Sequence, residues 1–317
     1  MLLPGDGKTC ARLMRKVTPL DDRLDRELAR ILDRLLEEER LIGGLIEDYD
    51  TKGERRVVAA TLSAFVPPEF REAYLDRPWP CLTNWLLLRC LKGETEFFLD
   101  RARQAQGNLT TGLDLVMLDY IQSPMDFTSP EGRRIMTVFF PFFLSIHRGY
   151  NLNSMIVEAS VIYEQMALAA GFRFFKALDL DTEPPAEPVP AGAASKRAVY
   201  VFQRDMIADT PPSTPVPAVF TYLPPLFRFT AAEQRMLLRA IEGLTDEEIA
   251  GTLSVSRDAV KQTWRSIYDH VTQVMPDLVD RGQMMGEGAR GQEKRRRIVA
   301  YVRDNAQELR PHYLRRG

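Results

Sequence analysis

The sequence predicts an α+β domain at residues 20–207, built as a mixed sheet with flanking helices, followed by an all-α domain at residues 226–275. Two observations lead to this prediction. The first two thirds of the chain alternate between strand-like and helix-like runs, whereas the last third contains short helices with capping residues. A proline-rich stretch, Pro211–Pro217, separates the two patterns, so we place a linker at residues 208–225.

The composition favours a soluble, cytoplasmic protein. The chain has 317 residues, 45% of them hydrophobic, and a formal net charge of −2. No apolar run is long enough to span a membrane and the start lacks a signal-peptide pattern, so no membrane association is expected. The three cysteines and three histidines lack metal-ligand spacing, and no metal is expected. A nucleic-acid binder with this net charge must concentrate its cations in one region.

The amino-terminal domain begins, after a tail at residues 1–19, with an amphipathic helix at 20–40. Two strand-like runs follow, and the turn at Asp50–Gly53 between them predicts a hairpin. The remaining elements alternate between helix and strand. The runs in chain order are strands at 41–49 and 55–65, a mostly helical stretch at 69–105, a buried strand at 113–121, a helix at 130–148, a strand within 151–160, a helix at 161–170, and strands at 172–180 and 198–204 flanking a Pro/Ala-rich loop at 182–196.

Capping residues mark three short helices in the carboxyl-terminal domain. Thr230 with Glu233, and Thr245 with Glu248, match the T-x-x-E capping box, and Ser256 is a good N-cap residue. These caps predict helices at 231–242, 246–253 and 257–272. Only three residues separate the last two helices, which is typical of a tight helix-turn-helix.

The third of these helices has two distinct faces. One face is an apolar stripe predicted to be buried, made of Val260, Trp264, Ile267 and Val271. Lys261, Gln262 and Arg265 project from the other side. Two cations and an amide on an exposed helix can contact base edges in a major groove. The alternative is an ordinary solvated helix face.

Residues 229–271, FTAAEQRMLLRAIEGLTDEEIAGTLSVSRDAVKQTWRSIYDHV, resemble the LuxR-type (GerE-like) DNA-binding domain. The matching positions are Thr230, Glu233, Gly243-Leu244-Thr245, Glu248-Ile249-Ala250, Leu253, Ser256, Val260-Lys261 and Ile267. The resemblance implies a bacterial helix-turn-helix regulator of transcription that binds double-stranded DNA as a homodimer. The DNA-binding residues it implies are Ser256, Arg257, Lys261, Gln262, Thr263 and Arg265. Ala259, Thr263 and His270 depart from the family's usual Thr, His and Lys, which removes a hydroxyl and a cation from the DNA-facing rim.

A carboxyl-terminal basic extension at residues 276–317 contains one more predicted helix, at 292–310. Its cations are clustered at Lys294, Arg295, Arg296 and Arg297. One interpretation is that they contact DNA phosphates, which would raise affinity without adding specificity. The alternatives are a solvated face or a dimerisation helix.

The order of elements in the amino-terminal domain resembles the GNAT acetyltransferase fold. A helix ending in Tyr163, then Gly171-Phe172, followed by a strand, carries the resemblance. It implies an acyl-CoA site whose diphosphate lies on a glycine-rich turn at a helix start. The corresponding stretch here, residues 129–134 (SPEGRR), keeps one glycine and gains an acid. We therefore expect no enzyme activity, with Glu158 and Tyr163 as the catalytic candidates if there is one.

Three hypotheses about function follow. The main one is a sequence-specific DNA-binding transcriptional regulator whose amino-terminal domain senses a ligand or dimerises. Phenylalanines within residues 135–146 are mostly core, and a pocket there for an acyl or aromatic effector is a further hypothesis. The alternatives are an acetyltransferase fused to a DNA-targeting helix-turn-helix module, and a protein-interaction scaffold. No cofactor is expected, and the identity of any small-molecule effector is open.

Overall fold

The computed structural model describes residues 1–16, 18, 20–48, 56–124, 126–182, 193–280 and 287–312, with the backbone alone at 162, 280 and 287–291. The chain divides into two compact units. Unit 1 is Met1–His147 with Asn151–Thr221, and unit 2 is Arg148–Tyr150 with Tyr222–Gly317. The turn predicted at residues 50–53 and most of the loop at 182–196 lie outside the described residues. None of the described helices is long and apolar enough to cross a membrane.

The described part of unit 1 is organised around a six-stranded sheet with the order β1-β2-β3-β4-β6-β5. Its strands are β1 (Leu41–Glu47), β2 (Val57–Val66), β3 (Leu113–Gln122), β4 (Leu152–Ser160), β5 (Arg173–Asp179) and β6 (Lys196–Gln203). Neighbouring strands are antiparallel except β3 and β4, which are parallel. A parallel pair needs a long crossover, and an 18-residue helix between β3 and β4 supplies it.

Helices cover both faces of this sheet. They are α1 (Gly7–Met14), α2 (Asp22–Glu37), α3 (Pro68–Asp76), α4 (Leu82–Leu91), α5 (Arg101–Leu109), α6 (Pro130–His147) and α7 (Glu164–Ala170). One core packs α1, α2 and α4 against the face that carries Leu62, Val116 and Ile156. The predicted tail at 1–19 therefore needs correction, because Cys10 and Leu13 of α1 lie fully buried in that core.

Helix α6 lies on the opposite face of the sheet. Its Phe142 ring occupies the space above Gly44 of β1, where a Cβ would stand 2.1 Å from the ring Cζ. At its end, the buried His147 ring bonds the Ser63 hydroxyl through Nε2 at 3.0 Å and the Phe143 carbonyl through Nδ1 at 2.9 Å. These contacts hold α6 against the sheet, where it forms the crossover connection from β3 to the parallel strand β4.

The regular secondary structure in the described part of unit 2 is all helical, and residues 222–230 form an irregular segment before the first helix. Its elements are α8 (Ala231–Ile241), α9 (Asp246–Thr252), α10 (Arg257–Val274), α11 (Pro276–Asp280), α12 (Glu287–Asp304) and a 3₁₀ turn at Ala306–Leu309. Both T-x-x-E capping boxes form, and the Ser256 side chain accepts the Ala259 N–H. Ile298 and Val302 of α12 are fully buried with the other helices, so the predicted extension is part of this unit's core.

The predicted linker at 208–225 is also folded. A 3₁₀ turn, Val216–Phe220, lies within it, and Val216, Val219 and Phe220 are buried. Phe220 packs on Phe202 of β6, with ring centroids 5.0 Å apart. Proline at the start of a short helical turn costs no hydrogen bond, which explains how a proline-rich run becomes part of unit 1.

Candidate active site

The parallel strands β3 and β4 diverge towards their carboxyl ends. Their pairing runs from Leu113 with Leu152 to Met117 with Val157 and ends there, although both strands continue. A register shift at Leu62–Ser63 also places a bulge at Leu118 of β3. Bulges commonly occur beside active sites, where they redirect a side chain. We call the space between residues 118–122 and 158–160 the strand gap.

Asp119 is the ionisable residue that β3 places at the strand gap. It pairs with Leu62 in the sheet, and its side chain therefore lies on the face covered by α1, α2 and α4. The Thr18 hydroxyl donates a hydrogen bond to its carboxylate. Burial raises the pKa of the Asp119 carboxyl to about 6, although Thr18 and Arg197 act in the opposite direction. Such a group exchanges protons near neutral pH.

Asp119 was not among the residues singled out from the sequence. It stands within an apolar run, LDLVMLDYI, that predicts a buried strand. Burying a charged acid in such a run costs free energy unless the acid is paired or neutral. The presence of an acid in an apolar strand was therefore the one signal in the sequence that could have indicated this residue. Its partner Thr18 lies 101 residues away in the chain, so the sequence alone could not locate the partner.

Glu158, a predicted catalytic candidate, makes contacts that join neighbouring elements of the fold. Its carboxylate accepts the N–H groups of Cys81 and Leu82 at 2.8 and 2.6 Å, at the start of α4. Arg197 of β6 donates to the same carboxylate. The Glu158 side chain is only 3% exposed. A carboxylate at a helix start interacts favourably with the helix dipole, so these contacts give Glu158 a structural role at the start of α4.

Tyr163, the other candidate, lies on the 3₁₀ turn that follows β4. Its ring packs edge-on against Phe127, with centroids 5.5 Å apart. Burial raises the pKa of Tyr163 and the nearby Asp119 adds to the effect, whereas Arg197 opposes it. The phenol is therefore protonated at neutral pH and can donate a proton near the strand gap.

An apolar cavity adjoins the strand gap on the α6 face of the sheet. Its volume is about 70 Å³. The lining residues are Met117, Tyr120, Phe139, Phe140, Phe143, Val157, Ala159, Tyr163, Met166, Ala167, Ala170, Phe172 and Val216. The polar side-chain groups among them are the two tyrosine hydroxyls, and that of Tyr120 donates to Gln122 Oε1 at 2.6 Å. A cavity therefore lies beside phenylalanines of residues 135–146, where a pocket for an acyl or aromatic effector was a hypothesis, and the effector itself stays a hypothesis.

The start of α6 is closed by its own side chains. Ser129 Oγ accepts the Gly132 N–H at 3.0 Å and donates to the Asp126 carbonyl at 2.7 Å. A Cβ on Gly132 would lie 2.0 Å from that carbonyl, so the glycine serves this close approach. Arg134 is paired with Asp48 at 2.9 Å. With Glu131 also in the first turn, this helix start does not fit the diphosphate of a coenzyme A donor.

A thiol nucleophile or a metal site finds no support in the described residues. Burial raises the pKa of Cys81 to about 11 and that of Cys10 and Cys90 to about 12, which keeps these thiols protonated. No group of three or more His, Cys, Asp or Glu residues with metal-binding geometry occurs in the part of the chain that the structure describes.

In unit 2, α10 presents the face expected from the sequence. Val260, Trp264, Ile267 and Val271 are buried, whereas Lys261, Gln262 and Arg265 are exposed. The remaining residues implied for DNA contact have local contacts. Ser256 caps α10, Arg257 lies 3.7 Å from Glu247, and Thr263 donates to the Ala259 carbonyl at 2.9 Å.

The basic cluster on α12 is largely engaged within unit 2. The Arg295 guanidinium stacks over the Trp264 ring at 4.7 Å and binds Asp246. Arg296 and Arg297 both bind Glu293, at 2.9 and 3.0 Å. Lys294 is half-buried. Arg295 thus joins α12 to the start of α9, a packing role that the run of cations in the sequence did not reveal.

Comparison with known proteins found similarity in solved structures. No family model matches the chain, and no curated protein matches it. Arabidopsis thaliana NAA60 in complex with acetyl-CoA is 9% identical with a TM-score of 0.36, covering 64% of this chain and 96% of its own. The spermidine/spermine N-acetyltransferase SpeG from Vibrio cholerae is 10% identical, with a TM-score of 0.37 and coverages of 66% and 94%. FeeM, an N-acyl amino acid synthase from uncultured soil microbes, is 8% identical with a TM-score of 0.36, and the match covers 64% of this chain and 87% of its own.

The mixed sheet with flanking helices that the sequence predicted for unit 1 is confirmed. From the sequence we expected a sequence-specific DNA-binding transcriptional regulator that is not an enzyme. The similar structures are instead acyl- and acetyltransferases, and this expectation is corrected accordingly. The sequence argument against an enzyme relied on residues 129–134, which concern only the nucleotide end of a donor. Since these TM-scores are low, we take the chemistry from the residues of unit 1 itself.

Proposed function

We propose that unit 1 is an acyltransferase that moves an acyl group from a thioester donor to an amine at the strand gap. The observation that carries this proposal is Asp119, a carboxyl whose pKa is raised to about 6 and which is only partly screened from solvent. A carboxyl with a perturbed pKa beside a gap between two strands is a candidate general base. Tyr163 adds a protonated phenol close to it.

The Asp119 carboxylate suits removal of a proton from the acceptor, and the Tyr163 hydroxyl suits protonation of the departing sulfur. The Asp119 carboxylate takes a proton from the acceptor, which arrives as an ammonium ion and must become a neutral amine to attack. The amine nitrogen forms a bond to the thioester carbon and then loses a second proton to solvent, and the carbon–sulfur bond breaks as the amide forms. The Tyr163 hydroxyl gives a proton to the departing sulfur, and solvent reprotonates the phenol. Positioned acid and base groups of this kind contribute about 10²- to 10⁴-fold each.

Glu158 and Arg197 have a positioning role in this proposal. The Glu158 carboxylate accepts hydrogen bonds from two N–H groups at the start of α4 and from Arg197, so its oxygens are engaged in holding these elements together. The pair instead fixes β4, β6 and α4 around the strand gap. The donor is specified only as a thioester, because the start of α6 does not fit a diphosphate.

The test is to detect the N-acylated product by mass spectrometry. Purified protein is incubated with acyl-CoA, or with the shorter S-acyl-N-acetylcysteamine thioesters, and a panel of amino acids and polyamines. We expect product with at least one amine, and a rate lowered by about 100-fold in Asp119→Asn and Tyr163→Phe. The proposal is wrong if no thioester yields product, or if both variants keep the full rate.

A second candidate function concerns unit 2, which we propose carries the enzyme to duplex DNA through a helix-turn-helix of LuxR type. The observation in its favour is the exposure of Lys261, Gln262 and Arg265 on α10 opposite a buried Trp264. Binding to duplex DNA that weakens steeply with salt would support it. Salt-independent binding to a protein partner, without DNA affinity, would instead favour the interaction scaffold.

A further inference from the structure

We infer that the apolar cavity beside the strand gap selects the donor by its acyl group, which is an aliphatic chain of about four to seven carbons. This inference rests on the proposed acyltransferase function and adds the class of donor to it. The cavity begins at Met117 and Val157, the last paired residues of β3 and β4, and also reaches Tyr163. A thioester carbonyl placed beside Tyr163 therefore directs its acyl chain into this cavity.

The chemistry of the walls excludes a polar acyl group. Among the residues that the structure describes, no charged side chain lines the cavity. One of its two hydroxyls, on Tyr120, is already bound to Gln122, and the other, on Tyr163, is the group that the proposed reaction assigns to the departing sulfur. A hydroxyl, carboxyl or amide on the acyl group would lose its water without gaining a partner, a cost that an aliphatic chain avoids.

The cavity is too large for an acetyl group to fill it. A volume of about 70 Å³ compares with about 10–15 Å³ for one water-sized group on the same measure, which corresponds to about five to seven such groups. The small side chains of Ala167 and Ala170 on α7 leave this room, while Phe139 and Phe143 of α6 form the far wall. An acetyl methyl would leave most of that space empty.

Equilibrium binding of a homologous series of thioesters tests the inference. Acetyl, butyryl, hexanoyl, octanoyl and decanoyl thioesters of N-acetylcysteamine, and the same acyl-CoA series with free coenzyme A, are titrated into the full chain by calorimetry. We expect affinity to rise about fourfold per methylene and to level off near seven carbons. Equal affinity across the series would overturn the inference and leave the acyltransferase proposal standing. If no thioester binds, both are wrong.

Substitutions that fill the cavity with a larger side chain, together with a control at a neighbouring exposed residue, test the inference by mutation. Ala167→Phe and the milder Ala167→Val place extra volume on the lining side of α7, and Leu168→Phe changes the next residue, which is exposed. We expect the Ala167 variants to lower the preference for hexanoyl over acetyl at least tenfold for Phe and severalfold for Val, with Leu168→Phe unchanged. Melting curves establish which variants are folded. A folded Ala167 variant that keeps the hexanoyl preference contradicts the inference.

Discussion

Glu158 of β4 receives the guanidinium of Arg197 from the neighbouring strand and the N–H of Leu82 from the start of α4. One buried carboxylate therefore joins two strands and a helix at the edge of the strand gap. Removing one partner of a buried ion pair leaves the other charge without compensation, which is more costly than the pair's net contribution.

This relationship predicts that Glu158→Ala destabilises unit 1 by about 3–5 kcal/mol. Glu158→Gln should lose less, because an amide oxygen still accepts one helix N–H. Urea unfolding measures both values. Glu69→Ala serves as the control, since that side chain is 77% exposed, and it should change stability by less than about 0.5 kcal/mol. A Glu158→Ala variant as stable as the control would show that the cluster has no structural role.

The raised pKa of Asp119 makes stability depend on pH. Its pKa lies near 3.8 in the unfolded chain and at about 6 when folded, so the folded state binds the proton more tightly. Stability due to this group is present below pH 4 and is lost as pH rises through 6. The resulting difference in the free energy of unfolding, between pH values below 4 and above 6, is at most about 3 kcal/mol. Partial solvent contact of the Asp119 side chain reduces it.

Asp119→Asn should therefore gain stability relative to the wild type between pH 4 and pH 7. Urea unfolding of both proteins across this range measures the gain. Asp258→Asn, a change at a side chain that is 93% exposed, is the control and should follow the wild type. If the difference between wild type and Asp119→Asn stays constant with pH, the carboxyl is not perturbed by folding.

The elements that the sequence predicted well are those with local signals. The caps of α8, α9 and α10 depend on residues three positions apart, and each forms as expected. The α1 helix was missed because eight residues containing Lys8 and Arg12 give a weak pattern, and burial by α2 decides their structure. The same limit applies to Asp119, whose surroundings come from Thr18 and from Arg197 on β6. Long-range contacts created this site, and no local spacing encodes them.

Arg295 and Arg296 are neighbours in the sequence with different predicted effects. Arg295 stacks on Trp264 and binds Asp246, so Arg295→Ala should destabilise unit 2 by about 1–2 kcal/mol. Arg296 is exposed and pairs within its own helix, so Arg296→Ala should cost less than about 0.5 kcal/mol. Urea unfolding of the two variants, followed by far-UV circular dichroism, compares their stabilities directly. Equal effects would contradict the packing role of Arg295.

If unit 2 binds duplex DNA through α10, two cations carry much of the interaction. Lys261→Ala and Arg265→Ala should each reduce the slope of log affinity against log salt by about 1. Arg235→Ala makes the same charge change on α8, away from this face, and is the matched control. Titrations of labelled duplex at several salt concentrations give the slopes. Slopes equal to the wild type in both α10 variants would exclude this face as the DNA contact.

The most direct test of the account is the rate of thiol release from a hexanoyl thioester, with a saturating amine acceptor, measured from pH 5 to pH 8. For the wild type we predict a rate that increases with pH through about 6, as Asp119 loses its proton. Asp119→Asn should be about 100-fold slower at pH 7 and lack this step. A wild-type profile without the step, or an Asp119→Asn enzyme with the full rate at pH 7, would contradict the central claim that Asp119 is the base at the strand gap.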